Sequence, residues 1–146
     1  MDKQEYKIRS EEIRTLVEEK NYREAAEIAD TIDWRRVKSV KMLCTISDIY
    51  KMVRRYEDSK TILEMAYEKR PGSRMIVYAL TELCLKLSDV VNAWEYYKEF
   101  CQVAPEDSRK YILLYKVYAA QEVSLEEQIK VLEKLKEEEY IDRWVY

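Results

Sequence analysis

Apolar residues along this chain recur at spacings of three and four, interrupted at regular intervals by short polar breaks. The clearest stretch runs from Val40 to Ser73. Its first half carries Leu43, Ile46, the small Ser47 and Tyr50 on one helical stripe. A break at Arg54-Arg55 leads to a second stripe of Tyr56, Ser59, Leu63 and Ala66, closed by Pro71-Gly72. A 3.6-residue rhythm split in this way predicts two amphipathic helices folded back on each other. The pattern then returns as Val77, Leu80, Thr81 and Cys84, followed by Val90, Ala93, Tyr97, Phe100 and Pro105. Tyr111, Leu114, Tyr115 and Tyr118 begin it once more.

The return has a fixed length. Pro71 and Pro105, Ser59 and Ala93, Ala25 and Ser59, and Tyr22 and Tyr56 are each separated by 34 residues. A fourth copy follows if one residue is inserted near Val123, which aligns Leu125, Gln128, Leu132 and Leu135. Helix pairs are therefore expected near 5–31, 33–70, 73–104 and 107–137. The corresponding units are about 5–33, 34–73, 74–107 and 108–140, together forming one helical-repeat domain over 1–146. Small residues at Ala25, Ser59 and Ala93 let paired helices touch, and the large ones fill the space to the next pair.

These spacings resemble the tetratricopeptide repeat, whose pattern is W-x2-L-G-x2-Y, then A-x3-F and a closing P. The resemblance covers about Tyr22 to Leu135. Leu43, Val77 and Tyr111 stand where the family has Trp, and Ser47, Thr81 and Tyr115 where it has Gly. Cys84 replaces one Tyr. The bulky Tyr115 predicts a last pair that opens wider. The resemblance implies an all-α fold of antiparallel helix pairs stacked as a right-handed superhelix, its first helices lining a concave groove.

Both ends deviate. Arg9 and Glu12 occupy places where the period expects apolar residues, although Ile13, Leu16 and Val17 keep a stripe. This suits a capping pair with a wetter outer face. Asp33 reads as the N-cap of a long helix from Trp34 to about Val53. At the other end Ile141-Asp142-Arg143-Trp144-Val145-Tyr146 echoes Ile32-Asp33-Trp34. A fifth unit is expected to start at 141–146, making the chain a fragment of a longer protein.

Composition narrows the chemistry. Among 146 residues there are one Gly, two Pro and no His. Strand proteins rich in tight turns need more of the first two. The lack of His removes the usual general base and the commonest zinc ligand. A single Gly excludes a phosphate-cradling loop. Adjacent carboxylates such as Glu11-Glu12 and Glu126-Glu127 fit helix N-terminal charge better than an acid/base pair. Three cysteines, Cys44, Cys84 and Cys101, lack metal-ligand spacing, and their odd number argues against a disulfide framework. Cys84 falls on a core stripe, and Cys44 on the stripe facing the expected groove. No enzyme, metal or cofactor is expected.

Net charge is −3 with both signs interspersed, so no basic stripe invites nucleic acid. The thirteen tyrosines fall mostly on core stripes rather than on a base-stacking platform. Trp34-Arg35-Arg36 reads as a packed Trp beside two solvated arginines. No apolar run approaches the length of a membrane span, and no signal-peptide pattern opens the chain. A cytoplasmic protein with reduced thiols is the expectation.

The groove stripe lies beside the core stripe of each first helix. In the second unit it comprises Cys44, Asp48, Lys51 and Met52. Tyr78, Glu82, Leu85 and Lys86 form it in the third, and Ile112, Lys116, Ala119 and Ala120 in the fourth. Apolar side chains mixed with both charge signs suit an extended peptide or an amphipathic helix. Chaperone-binding members of the family use lysines and asparagines on these stripes. Cys44, Asp48, Tyr78 and Glu82 stand there instead, so that activity is not carried over. The function expected is a non-catalytic interaction scaffold holding a partner protein or peptide. The alternative is a structural module that packs on a following domain or on a second copy. Leu132, Leu135, Tyr140, Trp144 and Tyr146 would then provide the homodimer contact. Helical-repeat RNA binding is disfavoured by the acidic balance.

Overall fold

The computed structural model describes residues 2–121 together with 129, 130, 133, 134 and 137. The described residues form seven α-helices and one short 3-10 turn, with no strand. Contacts gather into two compact units, Met1–Pro71 and Gly72–Tyr146.

In the first unit α1 (Lys3–Glu18) pairs with α2 (Tyr22–Ala29), a 3-10 turn spans Trp34–Arg36, and α3 (Val40–Met52) pairs with α4 (Tyr56–Lys69). All four residues of the expected α3 stripe are buried: Leu43, Ile46, Ser47 and Tyr50. On α4, Ser59, Leu63 and Ala66 are buried against them. Fully burying an Ile or Leu side chain contributes about 1.5–3 kcal/mol, so this face dominates the pair. At the crossing, the Ser47 hydroxyl donates to the Ser59 carbonyl at 2.9 Å. The Ser59 hydroxyl donates to the Ser47 carbonyl at 2.7 Å.

The second unit holds α5 (Arg74–Lys86), α6 (Val90–Val103) and α7 (Arg109–Ala120). Val77, Leu80, Thr81 and Cys84 are buried on α5, and Ala93 and Phe100 on α6. Cys84, Ala93 and Val117 pack together, with Trp94 and Tyr97 beside them. On α7 the fully buried residues are Leu113 and Val117. The expected core stripe of Tyr111, Leu114, Tyr115 and Tyr118 is half-buried instead. The short aliphatic face of α7 therefore meets the core, and its aromatic face stays at the margin. Of the second helix of that pair, where a wider opening was expected at Tyr115, only residues 129, 130, 133, 134 and 137 are described, all helical, and they do not test the opening. The expected fifth-unit start at 141–146 lies outside the described residues.

The 34-residue period is written into the backbone as well as the side chains. Lys20, Arg54 and Ser88 all have positive φ, at 60°, 64° and 59°. Each follows a first helix, and the next residue's N–H closes back on that helix: Asn21 to Leu16, Arg55 to Tyr50 and Asp89 to Cys84, all at 2.8 Å. This is the Schellman closure, which satisfies helix-end carbonyls through one left-handed residue. The second helices start directly afterwards, at Tyr22, Tyr56 and Val90. Ser39 and Ser73, another pair 34 apart, cap α3 and α5 by accepting from the N–H of Met42 at 3.1 Å and of Ile76 at 3.4 Å. Such caps are worth about 1 kcal/mol each.

The long helix expected from Trp34 to Val53 does not form. Asp33 accepts from the Arg35 N–H, but only the 3-10 turn follows it. Val37 is extended and buried, and Ser39 starts α3 afresh. The cause lies upstream. The period would carry α2 to residue 35, since α4 ends at Lys69 and 69 − 34 = 35, yet α2 stops at Ala29. There the Asp30 carboxylate is held by the Tyr50 hydroxyl at 2.7 Å and by Arg55 at 2.9 Å. The Thr31 hydroxyl donates to the Ile28 carbonyl at 2.6 Å. The local Thr31 bond competes with helix continuation, and the Asp30 bonds pin the helix end to α3 and to the turn before α4. Ile32 and Val37, 4% and 3% exposed, then tuck inward and hold the connection on the core.

Candidate functional site

In the first unit, the α3 stripe presents Cys44 and Lys51 half-buried, Asp48 exposed and Met52 56% exposed. Burial pushes the Cys44 thiol up, and the neighbouring Asp48 carboxylate adds to the effect. That keeps Cys44 protonated and poorly nucleophilic at neutral pH. Asp48 keeps an open rim, yet the atoms around it displace enough water to raise its carboxyl above the usual range, against a smaller opposing pull from Lys51.

In the second unit, the α5 and α7 stripes meet. Lys116 Nζ bonds Glu82 at 2.9 Å, joining two positions 34 residues apart. That bond is the main reason the Lys116 ammonium titrates above its ordinary range. Tyr78 is half-buried one turn before Glu82. Its ring meets Phe100 edge-on at 5.5 Å and lies 5.1 Å from the Arg109 guanidinium. Arg109 is aimed by a fork onto Asp107, with Nε to Oδ1 at 3.0 Å and Nη2 to Oδ2 at 2.6 Å. Arg74 reaches the same carboxylate at 3.5 Å. The Arg109 fork holds Asp107 down to about 2. Leu85 and Ile112 are half-buried, and Lys86, Ala119 and Ala120 are exposed.

This surface offers one shielded aromatic ring, aliphatic patches and fixed charges of both signs. It can take a backbone with alternating side chains, and it holds no nucleophile-base pair. Among the described residues, no group of three or more His, Cys, Asp or Glu side chains could hold a metal. No described helix is long and apolar enough to cross a membrane. Sequence reasoning missed Arg109, Asp107 and Arg74, because Arg74, at the start of α5, meets the Asp107–Arg109 pair of the α6–α7 turn only through packing. The self-association residues Leu132, Leu135, Tyr140, Trp144 and Tyr146 lie outside the described residues.

No protein-family model matches the sequence, and no curated protein matches it. Solved structures do. The structure titled MamA 41-end from Desulfovibrio magneticus RS-1 superposes with a TM-score of 0.73 at 20% identity, over 90% of this chain and 73% of that one. A second MamA crystal structure gives 0.73 at 17% identity, over 92% and 77%. PilF of Pseudomonas aeruginosa gives 0.57 at 18% identity, over 80% of this chain and 54% of that chain. MamA and PilF are both tetratricopeptide-repeat proteins. With helix starts, turns and caps returning every 34 residues, this chain has an all-α, tetratricopeptide-like helical-repeat fold.

Proposed function

We propose that the chain is a non-catalytic scaffold that holds a peptide or partner protein along the exposed stripes of its first helices, in the concave groove of a tetratricopeptide-like array. The observation that carries this reading is the Glu82–Lys116 bond. It sets the α5 and α7 stripes side by side, so that Tyr78, Leu85 and Ile112 lie on one mixed surface with fixed charges. Rigid repeats that present such a surface bind by shape and by a few anchored side chains. Fold alone does not assign function, so the reading rests on these side chains.

The test selects peptides from a random display library on the purified chain. Binding of the selected peptides should fall at least tenfold in Tyr78→Ala and in Ile112→Asp. It should be unchanged in Glu95→Ala, which alters an exposed position of α6. Selected peptides that bind all three variants equally would refute the stripe as the binding surface.

A further inference from the structure

We propose that α2 is a helix-length switch: the side chains of Arg9, Thr31, Asp33, Tyr50 and Arg55 hold it short, and their release lets it grow through residue 35 and re-seat the first helix pair. The longer form is already written in the repeat. α4 ends at Lys69 and α6 at Val103, and 69 − 34 and 103 − 68 both give 35. From residue 35, the stretch 36–39 would lead to the Ser39-capped α3, as 70–73 leads from α4 to the Ser73-capped α5. The start of α3 need not move. Ile32 shares its place in the period with Ala66 and Phe100, and all three are buried. The same side chain therefore faces inward in either form.

The present path after Ala29 is a tightened relative of that helix. The N–H groups of Thr31, Ile32 and Arg36 bond three residues back, to Ile28, Ala29 and Asp33, at 3.0, 3.1 and 2.9 Å. An α-helix would take each of them four residues back. Side chains compete for the groups that would make those longer bonds. A helix through residue 35 joins the Arg35 N–H to the Thr31 carbonyl, and both are engaged. Asp33 accepts from that N–H at 3.2 Å, and Arg9 donates to that carbonyl at 3.0 Å. The Ile28 carbonyl, which the Ile32 N–H would need, receives the Thr31 hydroxyl at 2.6 Å. Tyr50 and Arg55 fix the Asp30 carboxylate at 2.7 and 2.9 Å, so the end of α2 is held from α3 and from the turn before α4.

The next unit supplies the comparison. Thirty-four residues on, the five positions are Leu43, Met65, Tyr67, Cys84 and Asp89. The set does not recur, and α4 runs its full length to Lys69. Because Arg9 belongs to α1 and Tyr50 to α3, a change in the length of α2 reaches both neighbours. The two forms differ in a few hydrogen bonds within the first unit, which suits a two-state element.

Nuclear magnetic resonance tests the proposal through backbone Cα shifts and residue-by-residue amide exchange. Arg9→Met/Arg55→Met releases two ties while leaving residues 30–36, and hence their intrinsic helix preference, unaltered. The Cα shifts of residues 31–35 should move to helical values, and amides 33–35 should exchange about tenfold more slowly. The helical circular dichroism signal should grow. Arg14→Met, which removes an exposed cation of α1, should change none of these. Thr31→Val/Tyr50→Phe removes the two hydroxyls with little change of shape and should shift the same residues in the same direction. Unchanged shifts in both double variants would overturn the proposal. So would shifts moving towards coil with faster exchange, because the five side chains would then support the connection rather than restrain a helix. If the arginine variant does not fold, the hydroxyl variant decides by the same two criteria.

Discussion

The α3–α4 crossing offers a test of the packing argument through the Ser47–Ser59 pair. Both side chains are buried, at 2% and 0% exposure. The two hydroxyls are 2.9 Å apart and also reach each other's carbonyls at 2.9 and 2.7 Å. Two protons thus serve three short contacts. Ser47→Ala removes its own donation and the hydroxyl-hydroxyl contact, but Ser59 can still donate to the residue 47 carbonyl. Ser59→Ala is the mirror case. Each single variant should lose about 1 kcal/mol, the net worth of one buried hydrogen bond. The double variant leaves no buried hydroxyl behind, and the shared contact is not lost twice. It should therefore cost about 0.5 kcal/mol less than the sum of the singles. Urea unfolding measures this from midpoints at constant slope. Strict additivity would show that the hydroxyl–hydroxyl contact adds nothing, and single variants as stable as the parent would show that the hydroxyls do not hold the crossing.

Ala93→Trp should be far more damaging than Ala119→Trp. Ala93 is fully buried against Cys84 and Val117, where overpacking costs about 1–3 kcal/mol or more; equal losses of thermal stability would mean that the helix phase is misplaced. Ser88→Gly should stabilise by about 0.5–1 kcal/mol, because a non-glycine residue at φ 59° is strained there; a fall in melting temperature would refute the strain. For Asp107, depressed to about 2 by Arg109, the stabilisation is fully present above its unfolded pKa near 4. It is lost as pH falls through about 2. Because the Arg109 side chain is 42% exposed and solvent screens the pair, the effect should be about 1 kcal/mol. Asp107→Asn should flatten the stability curve between those limits, and an unchanged acid limb would disprove the linkage.

Much of this fold was legible because two signals agreed. The apolar stripes of α3 and α5 and the small residues at Ala25, Ser59 and Ala93 are set by packing, and packing leaves a periodic trace. The turns left less, a polar break such as Arg54-Arg55 but no sign of its backbone geometry. Lys20, Arg54 and Ser88 share a left-handed backbone, yet none is the Gly or Asn that would advertise it. The end of α2 was equally hidden, since Asp30 acts through Tyr50 and Arg55, distant in sequence. Asp33 fits a helix start by residue type; Ser39 fits as well and has the buried Met42 and Leu43 behind it. On the candidate site, the period picked out Glu82 and Lys116 separately, but only the α5–α7 packing showed that they touch. The bonds that hold α2 short have no period at all, as they arise where the repeat fails.

The shortness of α2 also has a consequence in time. Eight residues are too few for a helix to hold itself in water, so α2 depends on α1 and α3 for its shape. Amide protons between Tyr22 and Ala29 should exchange with solvent earlier than those of the fourteen-residue α4. The connection that follows would loosen with them. Lengthening α2 would then slow exchange even at residues the added turns never touch, turning the least durable helix of the first unit into a reporter of its own length.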